Sequence, residues 1–391
     1  MYRPTSRSVV NSVLLLALSL YIFAAFTFHS DDTQVTTASA SAVFTKQLST
    51  SSETSDISIH KVFHQRRNRL QERCRALNIT EKFGTKTWVP FLTAEAPGPL
   101  KVCLPPKAGS SSWFQLTELL KKQNLTGSHP TSAILVRHPL SRLTSAYRDK
   151  YLDGAPISEY TDVWRNRTES RSSWNYNWYD YWLPTLIASG HLVAHEELLE
   201  QISEYLEIYK FIDQNSIYRD KELVITKDHD IDELGIIIGT EMIKAGRQMG
   251  LQNAIMSTYS KSDEKLKTRF EGYSFTFKEF LEFVIWSNDL GITDIHWTPY
   301  TELCAPCLID YQYILHLEAI KTESEVLLRD AGYPKNIKLA TKHKTKGLTN
   351  TLHLDDLQYY KNLPRSLMEK ILEVYEDDFE LFGYSKDIWS V

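Results

Sequence analysis

Short apolar runs alternate with amphipathic stretches along much of the chain. Strands are predicted at Leu100–Leu104, Ala133–Val136, Leu223–Thr226 and Tyr311–Leu317, and helices at Phe275–Trp286 and Ala319–Arg329. We therefore predict an α/β fold in which a mainly parallel central sheet is flanked by helices on both faces. In such folds, ligands bind at the carboxyl ends of the strands.

A different pattern occupies the N-terminus, where Val9–Phe28 contains no charged side chain. This segment is about 20 residues long, which is enough for a helix to cross a bilayer. Two arginines precede it and two aspartates follow it, so the positive-inside rule places the N-terminus in the cytosol. The alternative is a cleaved signal peptide that ends in the small residues Ala38–Ala42.

The segment after this span is rich in Ser and Thr and poor in aromatic residues, which is typical of a flexible stem. The predicted organisation is a cytosolic tail at 1–8, a transmembrane signal anchor at 9–28, a stem at 29–57 and a lumenal domain at 58–391. Three glycosylation sequons, at Asn78, Asn124 and Asn166, fall on the predicted lumenal side.

Composition narrows the possible partners. The chain has 391 residues, of which 42% are hydrophobic, so it can bury a full core in one large domain. Its formal net charge of −5 argues against nucleic acid as a partner. Any binding of a polyanion must therefore depend on local basic patches.

The first candidate for chemistry is the small-residue loop that follows Leu100–Leu104. Two prolines end the strand, and the sequence Lys107-Ala108-Gly109-Ser110-Ser111-Ser112 leads into an amphipathic helix. Such a loop suits an anion, because glycine allows close approach of the backbone and a helix N-terminus presents unpaired N–H groups. The serines add hydroxyl donors, and Lys107 adds a positive charge.

A second segment repeats this arrangement with different residues. The strand Ala133–Val136 is followed by Arg137, then by Pro139 and a helix from about Leu140. Ser145 lies about two turns into that helix, so a guanidinium and a hydroxyl can meet one phosphate. The two segments together predict a site for two phosphates of one nucleotide. The alternative is a pair of ordinary strand–helix units with solvated basic residues.

These segments resemble the Golgi carbohydrate sulfotransferases of the chondroitin/dermatan 4-O type. In that family the first segment reads approximately PKxGCTNW and the second approximately RDPFERLxSAYRDKF, where this chain has PKAGSSSW and RHPLSRLTSAYRDKY. Two downstream blocks are also similar, DIHWTPYTELCAPCLIDYQYILHLE from Asp294 to Glu318 and the closing LMEKILEVYEDDFELFGYS. The chain departs from the pattern at Ser110–Ser112, which replace Cys-Thr-Asn, and at His138, which replaces an aspartate and changes the charge beside the second phosphate.

The resemblance implies a P-loop-kinase-like fold and transfer of a sulfuryl group from 3′-phosphoadenosine 5′-phosphosulfate (PAPS) to a sugar hydroxyl. It also implies a single-pass protein of the Golgi membrane that acts on a glycosaminoglycan or other glycan, with 4-O-sulfation of chondroitin as the first choice. No metal is expected. The residues that it assigns to the 5′-phosphosulfate are Lys107, Gly109, Ser110, Ser111, Ser112 and Trp113, and those that it assigns to the 3′-phosphate are Arg137 and Ser145.

Catalysis needs a charge at the departing phosphate and a base for the acceptor hydroxyl. Lys107 fits the first task, because an ammonium can neutralise the oxygen freed when the S–O bond breaks. His296 is the candidate base, since an imidazole titrates near neutral pH. Glu318 is the second candidate, and a structural role for His296 beside Trp297 is the alternative.

The chain has only four cysteines: Cys74, Cys103, Cys304 and Cys307. In an oxidising compartment they allow three pairings, among which the sequence does not choose. Cys304 and Cys307 have CxxC spacing, but no second CxxC completes a zinc site. A structural disulfide, or a bridge from one of the two to Cys74, is favoured over a metal.

Other functions remain as alternatives. Asp228-His229-Asp230 supplies the DxD triplet of a metal-dependent glycosyltransferase, and a glycan-binding module without activity would share the anchor and the sequons. A P-loop kinase is disfavoured, because Lys107 precedes the glycine that it should follow. Two further groups are candidate glycan contacts. The first is a run of lysines for which solvated surface is the alternative: Lys338, Lys342, Lys344 and Lys346. The second is a set of tryptophans for which core packing is the alternative: Trp174, Trp178 and Trp182.

Overall fold

The computed structural model describes residues 48–78, 93–95, 97–152, 178–194, 196–203, 216–219, 222–225, 238–239, 251, 254–270, 273–340 and 352–388. Several predicted features lie outside these residues. They are the transmembrane segment at 9–28, the sequon at Asn166, the triplet Asp228–Asp230, Trp174, and the lysines Lys342, Lys344 and Lys346. Among the described residues, no helix combines the length and the apolar character that a membrane span requires.

A four-stranded sheet lies at the centre of the described part of the chain. Its strands are β1 (Thr93–Glu95), β2 (Leu100–Cys103), β3 (Thr131–Val136) and β7 (Tyr313–His316). They lie in the order β1-β2-β3-β7, with β2, β3 and β7 parallel and β1 antiparallel to β2. The parallel strands predicted around 100, 133 and 313 are thereby confirmed.

The strand predicted at Leu223–Thr226 forms but does not join this sheet. It is β5 (Glu222–Ile225), which pairs antiparallel with β4 (Ser216–Arg219) and β6 (Ile238–Gly239). The expectation of a single mainly parallel sheet is therefore wrong for this strand. Hydropathy marks a segment as a strand, but it does not say which strand will be its neighbour.

Helices connect and cover the strands. They are α1 (Leu48–Ala76), α2 (Ser110–Lys122), α3 (Pro139–Lys150), α4 (Leu183–Ala188), α5 (Asp263–Arg269), α6 (Phe277–Asp289), α7 (Tyr300–Cys304), α8 (Ile320–Asp330), α9 (Leu354–Leu357), α10 (Arg365–Val374) and α11 (Glu376–Phe382). Helix α3 begins with Pro139, whose fixed φ suits the first turn. Helix α6 begins with a capping box between Thr276 and Glu279. Helix α1 begins within the segment predicted as the stem.

Two apolar clusters occupy the two faces of the central sheet. Along β3, Ile134 and Val136 belong to one cluster, while Ala133 and Leu135 belong to the other. This division follows from the alternation of side chains along a strand. Helices α3 and α6 pack in the first cluster and α2 and α8 in the second, which confirms helices on both faces. Trp178 and Trp182 lie in the first core, so packing explains them better than sugar stacking.

All four cysteines form disulfides, Cys74–Cys307 and Cys103–Cys304, with sequence separations of 233 and 201 residues. Each cysteine of the CxxC sequence therefore bridges to a distant partner. Of the two arrangements favoured from sequence, the bridge to Cys74 is the one observed. The bonds tie α1 and the end of β2 to the block that begins at Asp294 and contains His296.

Candidate active site

The two predicted phosphate-binding segments lie side by side, because β2 and β3 are adjacent parallel strands that end at the same edge of the sheet. In the first segment, Lys107 and Gly109 have φ angles of 67° and 97°. A Cβ at Gly109 would lie 2.8 Å from Leu317 Cδ1, so both the backbone conformation and the space select glycine. The loop thus turns sharply into helix α2 against the end of β7.

Helix α2 begins at Ser110, and no side chain caps its N-terminus. The first N–H groups of a helix lack intrahelical partners, so this end is suited to an anion. Ser111 is exposed there, and Ser110 and Ser112 are half-buried. Trp113 is different, since its side chain is buried in the core beneath the loop. It can support the loop from below.

Lys107 lies in a charged cluster. Its Nζ is 2.7 Å from Asp149 Oδ2, and Lys150 Nζ is 3.5 Å from the same oxygen. Burial lowers the pKa of Lys107, and the neighbouring cations Lys150 and Arg137 act in the same direction, against Asp149. Burial alone would raise the pKa of Asp149, but the ion pair with Lys107 lowers it. Asp149 therefore holds Lys107 in place at the mouth of the loop.

Arg137, at the end of β3, reaches toward the first loop. Its Nη1 donates to the Lys107 carbonyl at 3.4 Å, and its Nη2 lies 3.6 Å from Asp356 Oδ2. The Tyr300 hydroxyl accepts from the Arg137 N–H at 2.9 Å, which fixes the backbone at the same point. Ser145 lies half-buried on α3, and among the described residues no hydrogen bond joins it to Arg137.

His138 does not add charge to this site. Its ring is 1% exposed, packs edge-on against Phe379 and Tyr384, and its Nε2 contacts the Ser385 carbonyl at 3.2 Å. Burial lowers the pKa of His138 to about 4, so it is neutral at pH 7. Where the family has an aspartate, this chain therefore has an uncharged side chain that packs into the core.

A buried arginine joins the first loop to the block that contains His296. Arg142 is 1% exposed, and its guanidinium donates to the carbonyls of Pro106, Thr298 and Ile295 at 3.1, 2.6 and 2.8 Å. It also stacks over the Tyr300 ring at 4.7 Å. A buried guanidinium with this many acceptors fixes the position of every loop that it bonds. Lys107 and His296 are thereby brought to one site from positions far apart in the sequence.

His296 is paired with a buried carboxylate. Asp294 Oδ1 lies 2.6 Å from His296 Nδ1 and 2.7 Å from its backbone N, while Asp294 Oδ2 accepts from Tyr181 at 3.2 Å. A carboxylate accepts but does not donate, so it holds the proton on Nδ1 and leaves Nε2 as the acceptor. Burial lowers the pKa of His296, aided by Lys150 and Lys107 and opposed by Asp294. The side chain remains 20% exposed.

Glu318, the second candidate base, is committed elsewhere. It lies in the 3₁₀ turn Leu317–Ala319 after β7, where its Oε1 accepts from the His138 N–H at 3.0 Å and its Oε2 from Tyr384 at 2.9 Å. Burial raises the pKa of Glu318. These contacts give it a role in holding the C-terminal segment against α3.

Sequence reasoning missed the acidic partners of the basic residues. Asp149 lies inside the SAYRDK motif and Asp294 opens the DIHW block, so proximity to a motif was a usable signal for both. Asp356 had no such signal in the sequence, because this residue comes from a helix more than 200 residues after Arg137. Asp180 had none either.

Part of this chain is similar to known proteins. Residues 216–385 match the model described as "Sulfotransferase family", a range that includes His296 but not Lys107 or Arg137. Carbohydrate sulfotransferase 9 from Homo sapiens is 31% identical over 117 residues, which are 29% of this chain and 26% of the relative.

Two further relatives give a similar result. Carbohydrate sulfotransferase 10 from Mus musculus is 31% identical over 31% of this chain and 35% of its own. Carbohydrate sulfotransferase 14 from Danio rerio is 30% identical over 33% of this chain and 34% of its own. The chain thus spans about a third or less of the length of these relatives. No solved structure matches it significantly.

Proposed function

We propose that this chain, which is similar to carbohydrate sulfotransferases, transfers a sulfuryl group from PAPS to a hydroxyl of a glycan. The observation that carries the proposal is the convergence of Lys107, Arg137 and His296 at the carboxyl edge of the parallel strands. Arg142 joins the loop before Lys107 to the block that contains His296, and Arg137 donates to the Lys107 carbonyl, although the three residues come from separate parts of the sequence.

Each of the two loops would bind a different part of the donor. The α2 N-terminus, with Gly109 and Ser110–Ser112, would hold the 5′-phosphosulfate, and Lys107 would lie beside the bridging oxygen. Arg137 would hold the 3′-phosphate, with Ser145 as its hydroxyl partner. To do so, Arg137 would give up its 3.6 Å contact with Asp356 and bind the phosphate instead, because a phosphate bears more negative charge than a carboxylate. Trp113 supports the loop and does not touch the donor.

The chemistry is an in-line displacement at sulfur. The acceptor oxygen forms a bond to sulfur while the bond between sulfur and the phosphate oxygen breaks, and the products are a sulfate ester and 3′-phosphoadenosine 5′-phosphate. His296 Nε2 takes the hydroxyl proton, and the resulting imidazolium is stabilised by Asp294. Lys107 neutralises the charge that develops on the departing phosphate.

The acceptor that we propose is chondroitin, with transfer to the 4-hydroxyl of its N-acetylgalactosamine. This choice rests on the motif resemblance, since the relatives named above are about 30% identical to this chain. Of the lysine run considered as a glycan contact, Lys338 is described, and it pairs with Glu325 at 3.1 Å. Dermatan, an N-glycan and a glucuronate-capped chain would use the same donor site.

We also propose that the enzyme acts in the Golgi lumen, anchored by residues 9–28. Two disulfides are typical of an oxidising compartment. The sequon residue Asn124 is exposed at the end of α2, where a glycan can be attached. Endoglycosidase treatment of the expressed protein should increase its gel mobility, and the Asn124→Gln variant should show a smaller increase.

The function is tested with labelled PAPS and a panel of desulfated polysaccharides. Wild type should label unsulfated chondroitin, with no loss when divalent metals are chelated. Loss of activity on chelation would favour a metal-dependent glycosyltransferase. Calorimetry with 3′-phosphoadenosine 5′-phosphate should show binding, and its absence would favour a glycan-binding module without activity.

Lys107→Ala supplies the matched test of the site. It should lower turnover by about 10²–10³-fold, because a group that stabilises developing charge is lost. The thermal midpoint should change little, since the lysine is on a loop. Lys122→Ala, at the exposed far end of α2, is the control and should behave as wild type. Near-normal turnover of Lys107→Ala would contradict the assignment.

A further inference from the structure

A single π-helical turn, Trp178–Trp182, lies against the His296 block. Its aromatic residues Trp178, Tyr181 and Trp182 are buried, whereas Asp180 at its centre is partly exposed. Turns of this kind are rare and recur at functional sites, since they re-aim one side chain within a helix. Here the side chain that is presented is a carboxylate.

The contacts of Tyr181 place this turn beside the proposed base. The Tyr181 hydroxyl donates to Asp294, the carboxylate that holds His296. Lys150 lies 5.2 Å from the centre of the Tyr181 ring and also pairs with Asp149. The charged groups that face Asp180 are Asp294 and Lys150. Asp180 therefore lies on the side of the site occupied by the base.

Within the described ranges, no hydrogen bond or ion pair reaches the carboxyl oxygens of Asp180, although most of the side chain is out of water. Burial raises the pKa of Asp180 to about 7, with the Asp294 charge adding to the effect and Lys150 opposing it. Burying a carboxylate without hydrogen-bond donors costs free energy. We therefore expect a ligand to supply the donors that Asp180 lacks.

The chemistry of the two substrates decides which one supplies those donors. The phosphates and the sulfuryl group of PAPS are anions, which a carboxylate repels. An N-acetylhexosamine is uncharged, and its hydroxyls donate hydrogen bonds that a carboxylate accepts in pairs. The position beside His296 also suits the substrate whose hydroxyl loses a proton there.

We propose that Asp180 binds the acceptor, accepting hydrogen bonds from sugar hydroxyls next to the hydroxyl that is sulfated. The inference rests on the proposed function, and it adds a residue for acceptor binding that no motif marks. Asp180 thereby orients the reacting hydroxyl toward His296 Nε2, while the donor is held independently by the two loops.

The test compares Asp180→Asn with Asp289→Asn, a control at an exposed position at the end of α6. Asp180→Asn should raise the acceptor KM at least tenfold on the polysaccharide that wild type sulfates. The Kd for 3′-phosphoadenosine 5′-phosphate should stay within twofold of wild type. In wild type the acceptor KM should also rise as pH falls from 8 to 6, and Asp180→Asn should lose that dependence. Asp289→Asn should match wild type in every measurement.

The outcomes separate this inference from the proposed function. If wild type transfers sulfate but Asp180→Asn keeps its acceptor KM, or loses affinity for the nucleotide in parallel, the role of Asp180 is wrong and the function stands. If wild type neither transfers sulfate nor binds the nucleotide, both fail.

Wild type itself provides a second measurement that does not depend on the variant folding. Deoxy analogues of the acceptor sugar, each lacking one hydroxyl next to the reacting one, should raise the acceptor KM. An unchanged KM across the series overturns the proposal. In Asp180→Asn the same deletion should have little further effect, because the partner of that hydroxyl is already gone.

Discussion

At the scale of single residues, the site depends on which acceptor each basic group meets. Arg137 is held by a carbonyl at 3.4 Å and a carboxylate at 3.6 Å, both long contacts for a guanidinium. A phosphate would offer shorter and more strongly charged acceptors. Arg137 is thus positioned for a ligand without being saturated by the protein.

Arg137→Lys should weaken donor binding with little effect on turnover, because the 3′-phosphate does not react. The loss of one of the two hydrogen bonds that a guanidinium can donate to a phosphate should weaken binding by roughly 1.5–3 kcal/mol, or about 10–100-fold in Kd. Calorimetry with 3′-phosphoadenosine 5′-phosphate measures this. An analogue without the 3′-phosphate should bind wild type and variant equally, and a persistent difference would assign Arg137 elsewhere. Arg365→Ala, on the exposed face of α10, is the control.

His296 presents a second argument at this scale, since Asp294 fixes its tautomer and raises its pKa, against the larger effect of burial. Only the neutral imidazole accepts a proton, so activity should fall on the acidic side as His296 becomes protonated. Because burial lowers the pKa of His296 from 6.5, this limb should lie below pH 6.5. Turnover at pH 7 should therefore be near its plateau.

His296→Asn should lose this limb together with about 10²–10⁴-fold of turnover, and donor affinity should be kept. Asp294→Asn should lower turnover and move the limb to more acidic pH, because Asp294 raises the pKa of His296. The pH profile of kcat/KM between 5 and 8 measures both, with His64→Asn at an exposed position of α1 as control. If the limb persists in His296→Asn, another group is the base.

At the scale of elements, the two disulfides fasten the segments that carry the site. Cys103 ends β2, just before the Lys107 loop, and bonds to Cys304 at the end of α7. Cys74 ties α1 to Cys307. In the chain-entropy view, cross-links over such separations stabilise by roughly 5 kcal/mol each, because they restrict the unfolded chain.

Replacing Cys103 and Cys304 together by alanine should lower the free energy of unfolding by about 2–5 kcal/mol. It should also weaken nucleotide binding, since β2 positions the Lys107 loop. The matched variant without Cys74 and Cys307 should lose similar stability but keep nucleotide affinity. Guanidinium unfolding and calorimetry separate the two effects. Equal loss of affinity in both variants would show that the bond at β2 has no special role.

At the scale of the whole molecule, the C-terminal segment packs against the elements that carry the site. His138, at the start of α3, contacts Ser385, and the His316 ring stacks on Tyr384 at 4.5 Å. Asp378 accepts from the N–H groups of Tyr300 and Thr301. Asp378, Tyr384 and Ser385 thus support both the end of the Arg137 strand and the block that contains His296.

This contact makes stability depend on pH. Burial lowers the pKa of His138 from 6.5 to about 4, so its contribution is complete above pH 6.5 and is lost as pH falls toward 4. The loss at pH 5 is about 2 kcal/mol relative to pH 7. His138→Asn, which does not titrate here, should lack this component.

Urea unfolding of wild type and His138→Asn at pH 7 and pH 5 measures the difference. The gap between the two proteins should shift by about 2 kcal/mol in favour of the variant at pH 5. Comparing the two proteins cancels the buried acids Asp378 and Asp180, whose raised pKa acts in the opposite direction. If the difference in free energy of unfolding between the two proteins does not change with pH, folding does not lower the pKa of His138.

The sequence by itself determined the local elements that carry the proposed donor site. Prolines and glycine fixed where β2 and β3 end and where α2 and α3 begin, because these residues act through their own backbone. The motifs at Lys107, Arg137 and His296 indicated a resemblance to carbohydrate sulfotransferases, and the comparisons find similarity to proteins of that name and to the sulfotransferase family over residues 216–385. The individual roles of these residues remain predictions.

Only the tertiary structure decided which distant groups meet. The pairing of β5 outside the central sheet, the two disulfides, the burial of His138 and the acids beside Lys107, Arg137 and His296 all depend on contacts across long stretches of chain. Hydropathy and motifs report what one segment does with its neighbours in sequence, whereas pairing, burial and charge are set by the neighbours in space. Asp180 shows this most clearly, because it lies in no recognised motif and only its surroundings in the folded protein indicate a role.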